Sequence, residues 1–229
     1  MKRLVILLCI VSIFIACKKQ NNTSKEVMLK HPFGNVVILG NSITYAPANP
    51  SSGWNCNCGM AASALEKDYV HLLATKFKQQ NINANVVAKN IAEFEINYLT
   101  YNFDTELKTY HDSKPDLLIL RIGENVQSTF DSVEFAKRYQ GLIAYMKTDN
   151  PQLKVLAVGS IWYLPNKDYI NNIMSRYTPY ISLAALGTDN SNFAFDMKNV
   201  SDGVKQHPGD KGMQAIADVI WKKVLTMTD

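Results

Sequence analysis

Val36-Val37-Ile38-Leu39-Gly40-Asn41-Ser42-Ile43-Thr44 is an apolar, β-branched run that breaks abruptly at Gly-Asn-Ser. Its apolar residues fall on both alternating faces, which suits a central parallel strand covered on both sides. Gly tolerates backbone angles that other residues resist, and Asn comes close, so the chain can turn sharply at Gly40-Asn41 and leave Ser42 exposed at the strand end. Open α/β sheets bind ligands at such carboxyl ends. A strand followed by Gly-Asn-Ser is also a common plain turn, so the reading depends on what the rest of the chain supplies.

Two later stretches supply it. Leu117-Leu118-Ile119-Leu120-Arg121-Ile122-Gly123-Glu124-Asn125 repeats the buried-strand pattern and ends in Gly-x-Asn. Ser201-Asp202-Gly203-Val204-Lys205-Gln206-His207-Pro208 puts an acid and a histidine in a loop before the final helical pattern. In this order the three stretches resemble blocks I, III and V of the SGNH/GDSL hydrolases, whose usual forms are Gly-Asp-Ser, Gly-x-Asn-Asp and Asp-x-x-His-Pro. The resemblance implies a three-layer α/β/α sandwich of flavodoxin-like type with about five parallel strands, and a serine esterase or lipase that needs no metal or cofactor.

Carried over residue by residue, it makes Ser42 the nucleophile, His207 the base and Asn125 a side-chain donor to the oxyanion, beside the Ser42 amide. Asp202 stands five positions before His207 where the family has three, so the orienting acid is Asp202 if the loop bulges, and Asp196 or a backbone carbonyl if it does not. The block II glycines are replaced by Ala92 and Glu95 in Asn90-Ile91-Ala92-Glu93-Phe94-Glu95. A backbone donor survives any side chain but proline, so the Glu95 N–H is the expected third donor. No Gly-x-Ser-x-Gly elbow surrounds Ser42, which argues against an α/β-hydrolase.

Between these blocks, strands and helices alternate, as in right-handed βαβ units. Strands are predicted at 85–88, 117–121, 154–160 and, as a short fifth strand, 192–196. Ser63-x-x-Glu66 and Asp131-x-x-Glu134 read as capping boxes opening helices. Further helices are expected over 98–111, 166–186 and 210–227, the last with Asp210 as N-cap and Met213, Ile216, Ala217, Ile220, Trp221 and Val224 inside. The loop from Tyr45 to Gly59 follows the nucleophile, so Trp54 reads as a rim aromatic or as packing beneath the loop. Trp162, after the fourth strand, is a second rim candidate.

The first residues read as an export leader: Lys2 and Arg3, then an apolar core from Leu4 to Ile15, too short for a spanning helix of about 20 residues. Phe14-Ile15-Ala16-Cys17 resembles a relaxed bacterial lipobox, which makes residues 1–16 a signal peptide, Cys17 a lipidated anchor, 17–30 a tether and 31–229 one hydrolase domain, held at the cell envelope on its periplasmic or outer side. Losing Lys2 and Arg3 from 24 basic groups leaves 22 against 20 acidic ones, which gives no nucleic-acid footprint. Cys56 and Cys58 are separated by a single residue, so free thiols, a small ring-closing disulfide and a metal pair all stay open, thiols being favoured because so short a ring is strained. An exported esterase of this kind fits a glycan ester or another small acyl ester, acetyl above all. A lysophospholipase or thioesterase is the enzymatic alternative, and a glycan-binding lipoprotein without turnover is the non-enzymatic one.

Overall fold

The computed structural model describes residues 28–30, 32–162 and 165–227. The leader, Cys17, the tether up to residue 27, His31 and Tyr163 lie outside the described residues. In chain order the elements are β1 (Asn35–Gly40), α1 (Tyr69–Gln80), β2 (Asn85–Asn90), α2 (Ala92–Ile96), α3 (Phe103–Asp112), β3 (Leu117–Arg121), α4 (Ser132–Lys147), β4 (Lys154–Val158), α5 (Pro165–Tyr177), β5 (Tyr180–Ile181), α6 (Asp202–Lys205) and α7 (Asp210–Val224). The five strands form one sheet, ordered β2-β1-β3-β4-β5, and every pairing is parallel.

The pleat sends alternate strand residues to opposite sides, and both sides are covered. Val36, Ile38, Leu117, Ile119, Leu156 and Val158 pack with α1 and α7, where Leu73, Phe77, Ile216 and Ile220 are buried. On the other face Val37, Leu39, Leu118, Leu120 and Ala157 meet α3, α4 and α5, through Leu107, Phe135, Tyr139 and Met174. This is the expected three-layer sandwich. Its strand order reverses direction between β1 and β3, the position where doubly wound sheets open a crevice at their carboxyl ends. Ser42 follows β1 and Asn125 follows β3, so the two motifs flank that crevice.

Several boundaries differ from expectation. The fifth strand is Tyr180–Ile181, pairing with Ala157 and Val158. Residues 192–196 do not join the sheet, and Phe193 makes one antiparallel bridge to Pro208 instead. The helix expected over 166–186 accordingly stops at Tyr177. Ser63 does not cap α1: its N–H and Oγ–H donate to the Asp210 carboxylate, and Asp68 caps the helix by accepting from the His71 N–H. Gly209 is the N-cap of α7 and Asp210 its first helical residue. The Asp131 cap of α4 is as expected, accepting from the Val133 and Glu134 amides.

Candidate active site

The turn after β1 is built by close approach. A Cβ at Gly40 would stand 1.9 Å from Thr44 Oγ1 and 2.9 Å from the Arg121 carbonyl, so only glycine lets the chain fold back beside β3. The Thr44 and Tyr45 amides then donate to the Asn41 carbonyl at 2.9 and 3.0 Å, and Ser42 sits half-buried on the outside of that turn. The Met60 amide holds the Ser42 carbonyl at 2.9 Å, which ties the long following loop back to the nucleophile.

His207 comes to Ser42 from the opposite end of the chain. Ser42 Oγ and His207 Nε2 are 2.8 Å apart. The other ring nitrogen, Nδ1, is 2.8 Å from the Gly203 carbonyl. A carbonyl only accepts, so Nδ1 carries the proton and Nε2 is left bare to accept from the serine hydroxyl. The local chain explains why that carbonyl is free. Helix α6 is a single turn capped by Ser201, and at its end the His207 amide reaches back three residues to Val204, leaving the Gly203 oxygen without a backbone donor from His207. The 192–194 segment that resembled a strand has its use here. Ala194 N–H donates to the His207 carbonyl at 2.9 Å and Gly209 N–H to the Asn192 carbonyl at 3.0 Å, clamping the histidine from both sides.

Asp202 does not orient the base. Its carboxylate is 88 % exposed and pairs with Lys205 Nζ at 2.9 Å, because the first turn of α6 points it into solvent. The orienting group is the backbone carbonyl that the sequence left open as an alternative. Burial of the imidazole pulls the His207 pKa below its ordinary 6.5, and the Arg121 charge adds to this. The base is therefore mostly neutral at pH 7. The acidic limb of kcat/KM for ester hydrolysis is expected to have its midpoint below 6.5; a midpoint above that value would contradict a buried, neutral imidazole as the base.

Beneath Ser42 lies a network the motifs did not announce. Arg121 and Glu124 are fully buried and paired, Nη2 to Oε1 at 2.5 Å, and the Asn41 side chain sits between charges of both signs. Asn41 Oδ1 accepts from Arg121 Nη1 at 3.0 Å, while its Nδ2 donates to Glu124 Oε2 at 2.6 Å and to Glu95 Oε1 at 3.0 Å. Glu95 is fully buried and joins this network with its carboxylate, so its amide does not face the crevice, against expectation. Glu95 Oε2 accepts from the Gly123 and Asn125 amides at 3.0 and 2.6 Å and from Asn125 Nδ2 at 3.3 Å. One hydrogen of the Asn125 amide is thereby fixed, leaving the second for an oxyanion. Gly123 has φ +122°, a backbone angle that side chains other than hydrogen rarely permit, and it turns Asn125 toward the crevice. Burial, with Glu124 nearby, pushes Glu95 up to about 7 against the downward pull of its amide donors.

The two aromatic candidates part company. Trp54 is only 2 % exposed and donates its indole N–H to the Ala46 carbonyl at 3.3 Å, so it packs under the loop rather than at the rim. Trp162 is half-buried against the base, its ring 5.3 Å from that of His207 at 85°, with Nε1 donating to the Gln206 carbonyl at 3.0 Å. Cys56 and Cys58 are joined as a disulfide, against the favoured reading of free thiols, and Cys58 is bridged to Ala46 across the base of the same loop.

No protein-family model matches the sequence, and comparison with curated proteins gives no match. Solved structures do match. One is a two-domain esterase active on acetylated mannans, at 20 % identity and a TM-score of 0.55 over 86 % of this chain. The fold is that of the SGNH hydrolases. A carbohydrate esterase of family 3 from Talaromyces cellulolyticus shares the fold at 16 % identity and a TM-score of 0.54, covering 85 % of this chain and 98 % of its own. A protein from Parabacteroides merdae designated a GDSL-like lipase matches at 16 % identity and a TM-score of 0.55, covering 88 % and 99 %. This chain spans only 50 % of the two-domain mannan esterase. Within the SGNH fold, Ser42, Asn125 and His207 occupy the strand ends and the final loop in the order that the sequence resemblance implied.

Proposed function

We propose that this chain is an exported serine esterase that removes small acyl groups, acetyl above all, from carbohydrate. The observation that carries the proposal is the 2.8 Å contact between Ser42 Oγ and His207 Nε2, with Nδ1 held by the Gly203 carbonyl. A serine hydroxyl is a weak nucleophile until a base stands within hydrogen-bond reach. Here Ser42 Oγ attacks the ester carbonyl while its proton passes to Nε2. The tetrahedral oxyanion is met by the Ser42 amide and Asn125 Nδ2, donors fixed before the charge develops. Collapse returns the proton from Nε2 to the departing alcohol and leaves an acyl-serine. Water, deprotonated by the same nitrogen, then releases the acid and restores Ser42. A carbonyl carries no full charge, so it holds the tautomer but stabilises imidazolium less than a carboxylate does.

The carbohydrate half of the proposal draws on the esterases named above and on Trp162, whose ring beside the base can take the face of a sugar. Export and lipidation at Cys17 belong to the proposal through the leader and lipobox pattern. The test is hydrolysis by purified residues 18–229, which contain every described core residue, of 4-nitrophenyl acetate and octanoate, followed by acetate release from an acetylated glycan. Acetate preferred over octanoate, with acetate released from the glycan, is the expected result. Preference for octanoate would favour the lysophospholipase or thioesterase alternative, and inertness toward every ester would overturn the catalytic reading.

A further inference from the structure

In a parallel sandwich all strands start at one end, and the helices between them finish there. At that end, remote from Ser42, the described chain also enters the fold: Leu29 is buried, and its N–H donates to Gln80 Oε1 at the close of α1. Lysines gather around this entry. Lys30 precedes β1, Lys78 is in the last turn of α1, Lys114 precedes β3, Lys147 ends α4, Lys154 begins β4 and Lys223 is in the last turn of α7. Three of them, Lys147, Lys154 and Lys223, line one open cleft of about 440 Å³ between α4, β4 and α7, and none of its described lining residues is a carboxylate. Lys114 Nζ donates to the Asp149 carbonyl in the turn beside it at 3.0 Å.

The described acids at this end are fewer than the lysines. Asp112 pairs with Lys108 at 2.6 Å, Asp116 accepts from the Gly34 and Asn35 amides and keeps its charge, and Asp149 is exposed. Lysine at a helix C-terminus is ordinary, because it answers the helix dipole. That accounts for Lys78, Lys147 and Lys223. It does not account for Lys30, Lys114 or Lys154, which stand before strands. The opposite end carries Asp131, Asp202 and Asp210 at helix starts, so the charge is divided along the strand axis although the whole chain has a net charge of only +4.

We infer that this lysine-rich end is a docking surface for an anionic lipid bilayer, which holds the sheet upright with the catalytic crevice facing away from the membrane. The occupant is argued from charge complementarity and from where the described chain enters: Leu29 is seated at this end, twelve positions after Cys17. The inference rests in part on Cys17 as the anchor, and it adds a second, electrostatic hold, since clustered lysines near an anionic leaflet act over about a Debye length. With β1 six residues long at about 3.3 Å each, Ser42 stands roughly 20 Å beyond the docked end. At that height the crevice addresses polymers in the aqueous layer, not the bilayer's own esters.

The test uses residues 17–229 carrying Cys17→Ser, so that no acyl chain contributes. Co-sedimentation is measured with vesicles of phosphatidylcholine alone and mixed with phosphatidylglycerol, at low and high salt. Binding to the mixed vesicles, lost at high salt and absent on phosphatidylcholine, is expected. Each Lys→Gln change at 114, 147 and 223 should lower partitioning by about fivefold, and the triple variant by about a hundredfold. Its hydrolysis of 4-nitrophenyl acetate in solution should be unchanged, which separates failure here from failure of the esterase reading. Equal binding to both vesicle types, wild-type partitioning by the triple variant, or retention on dextran sulfate with none on vesicles would overturn the inference.

Discussion

Ser42→Ala is expected to lower kcat/KM for 4-nitrophenyl acetate by at least about 10⁴, with the melting temperature nearly unchanged. The side chain's one close polar contact is to His207 Nε2, so its removal leaves the turn at Gly40 and the Asn41 network intact. His207→Gln should cost a comparable factor, because nucleophile and base act as one unit and their losses do not add. The double variant should therefore be hardly slower than either single one. Asp202→Ala provides the contrast: an exposed carboxylate paired only with Lys205 should leave the rate within about twofold, in keeping with the small worth of surface ion pairs. A rate for Ser42→Ala within tenfold of wild type would place the reacting group elsewhere, and a large loss for Asp202→Ala would mean that the histidine is held differently in action.

The second large effect is on stability. Arg121→Met should destabilise the fold by about 3–5 kcal/mol, because it leaves the buried Glu124 without its cation and takes from Asn41 Oδ1 one of its donors. For a chain of this size that corresponds to a drop in melting temperature of roughly 6–20 °C. Glu95 makes no contact with this guanidinium and joins the network through Asn41; burial first, and the neighbouring Glu124 second, raise its pKa to about 7. Arg121→Met combined with Glu124→Leu should cost less than Arg121→Met alone, since the stranded charge goes with its partner. Denaturant unfolding of the three proteins measures this. A single-variant cost below about 1 kcal/mol would show that water reaches the network and that the charges are not desolvated.

These contrasts bear on what the sequence could disclose. Strands β1 and β3 were legible because a strand buried on both faces must be apolar throughout, and Val36–Leu39 and Leu117–Leu120 are. The same rule makes the next residue conspicuous. Arg121 interrupts the apolar stretch between Leu120 and Ile122, and a charge at the end of a buried strand demands a partner; Glu124, three residues on, supplies it. Strand β5 was not legible, because two residues, Tyr180 and Ile181, generate no periodicity. Phe193-Ala194-Phe195 does look like a strand, but Phe193 alone is bridged, to Pro208, and the chain turns at Phe195, so the stretch clamps His207 instead of lengthening the sheet. Glu95 is hard to read from sequence for a different reason. The family pattern directs attention to a glycine amide at that place, and only the geometry reveals that a long acid there reaches across to the loop after β3.

The Gly203 carbonyl has a consequence for how such a site can change over time. When an acid orients the base, a single base change in the gene can delete it, and each rescue must find another acid. Here the orienting atom belongs to the main chain, which every amino acid possesses, so point substitution at 203 cannot erase it. What can erase it is a change in the number of residues between Ser201 and His207, because that would rotate a different carbonyl, or none, toward Nδ1. In lineages descended from this chain, the identity of residue 203 is therefore freer to drift than the length of the loop, while Ser201, Val204 and His207 keep their own constraints.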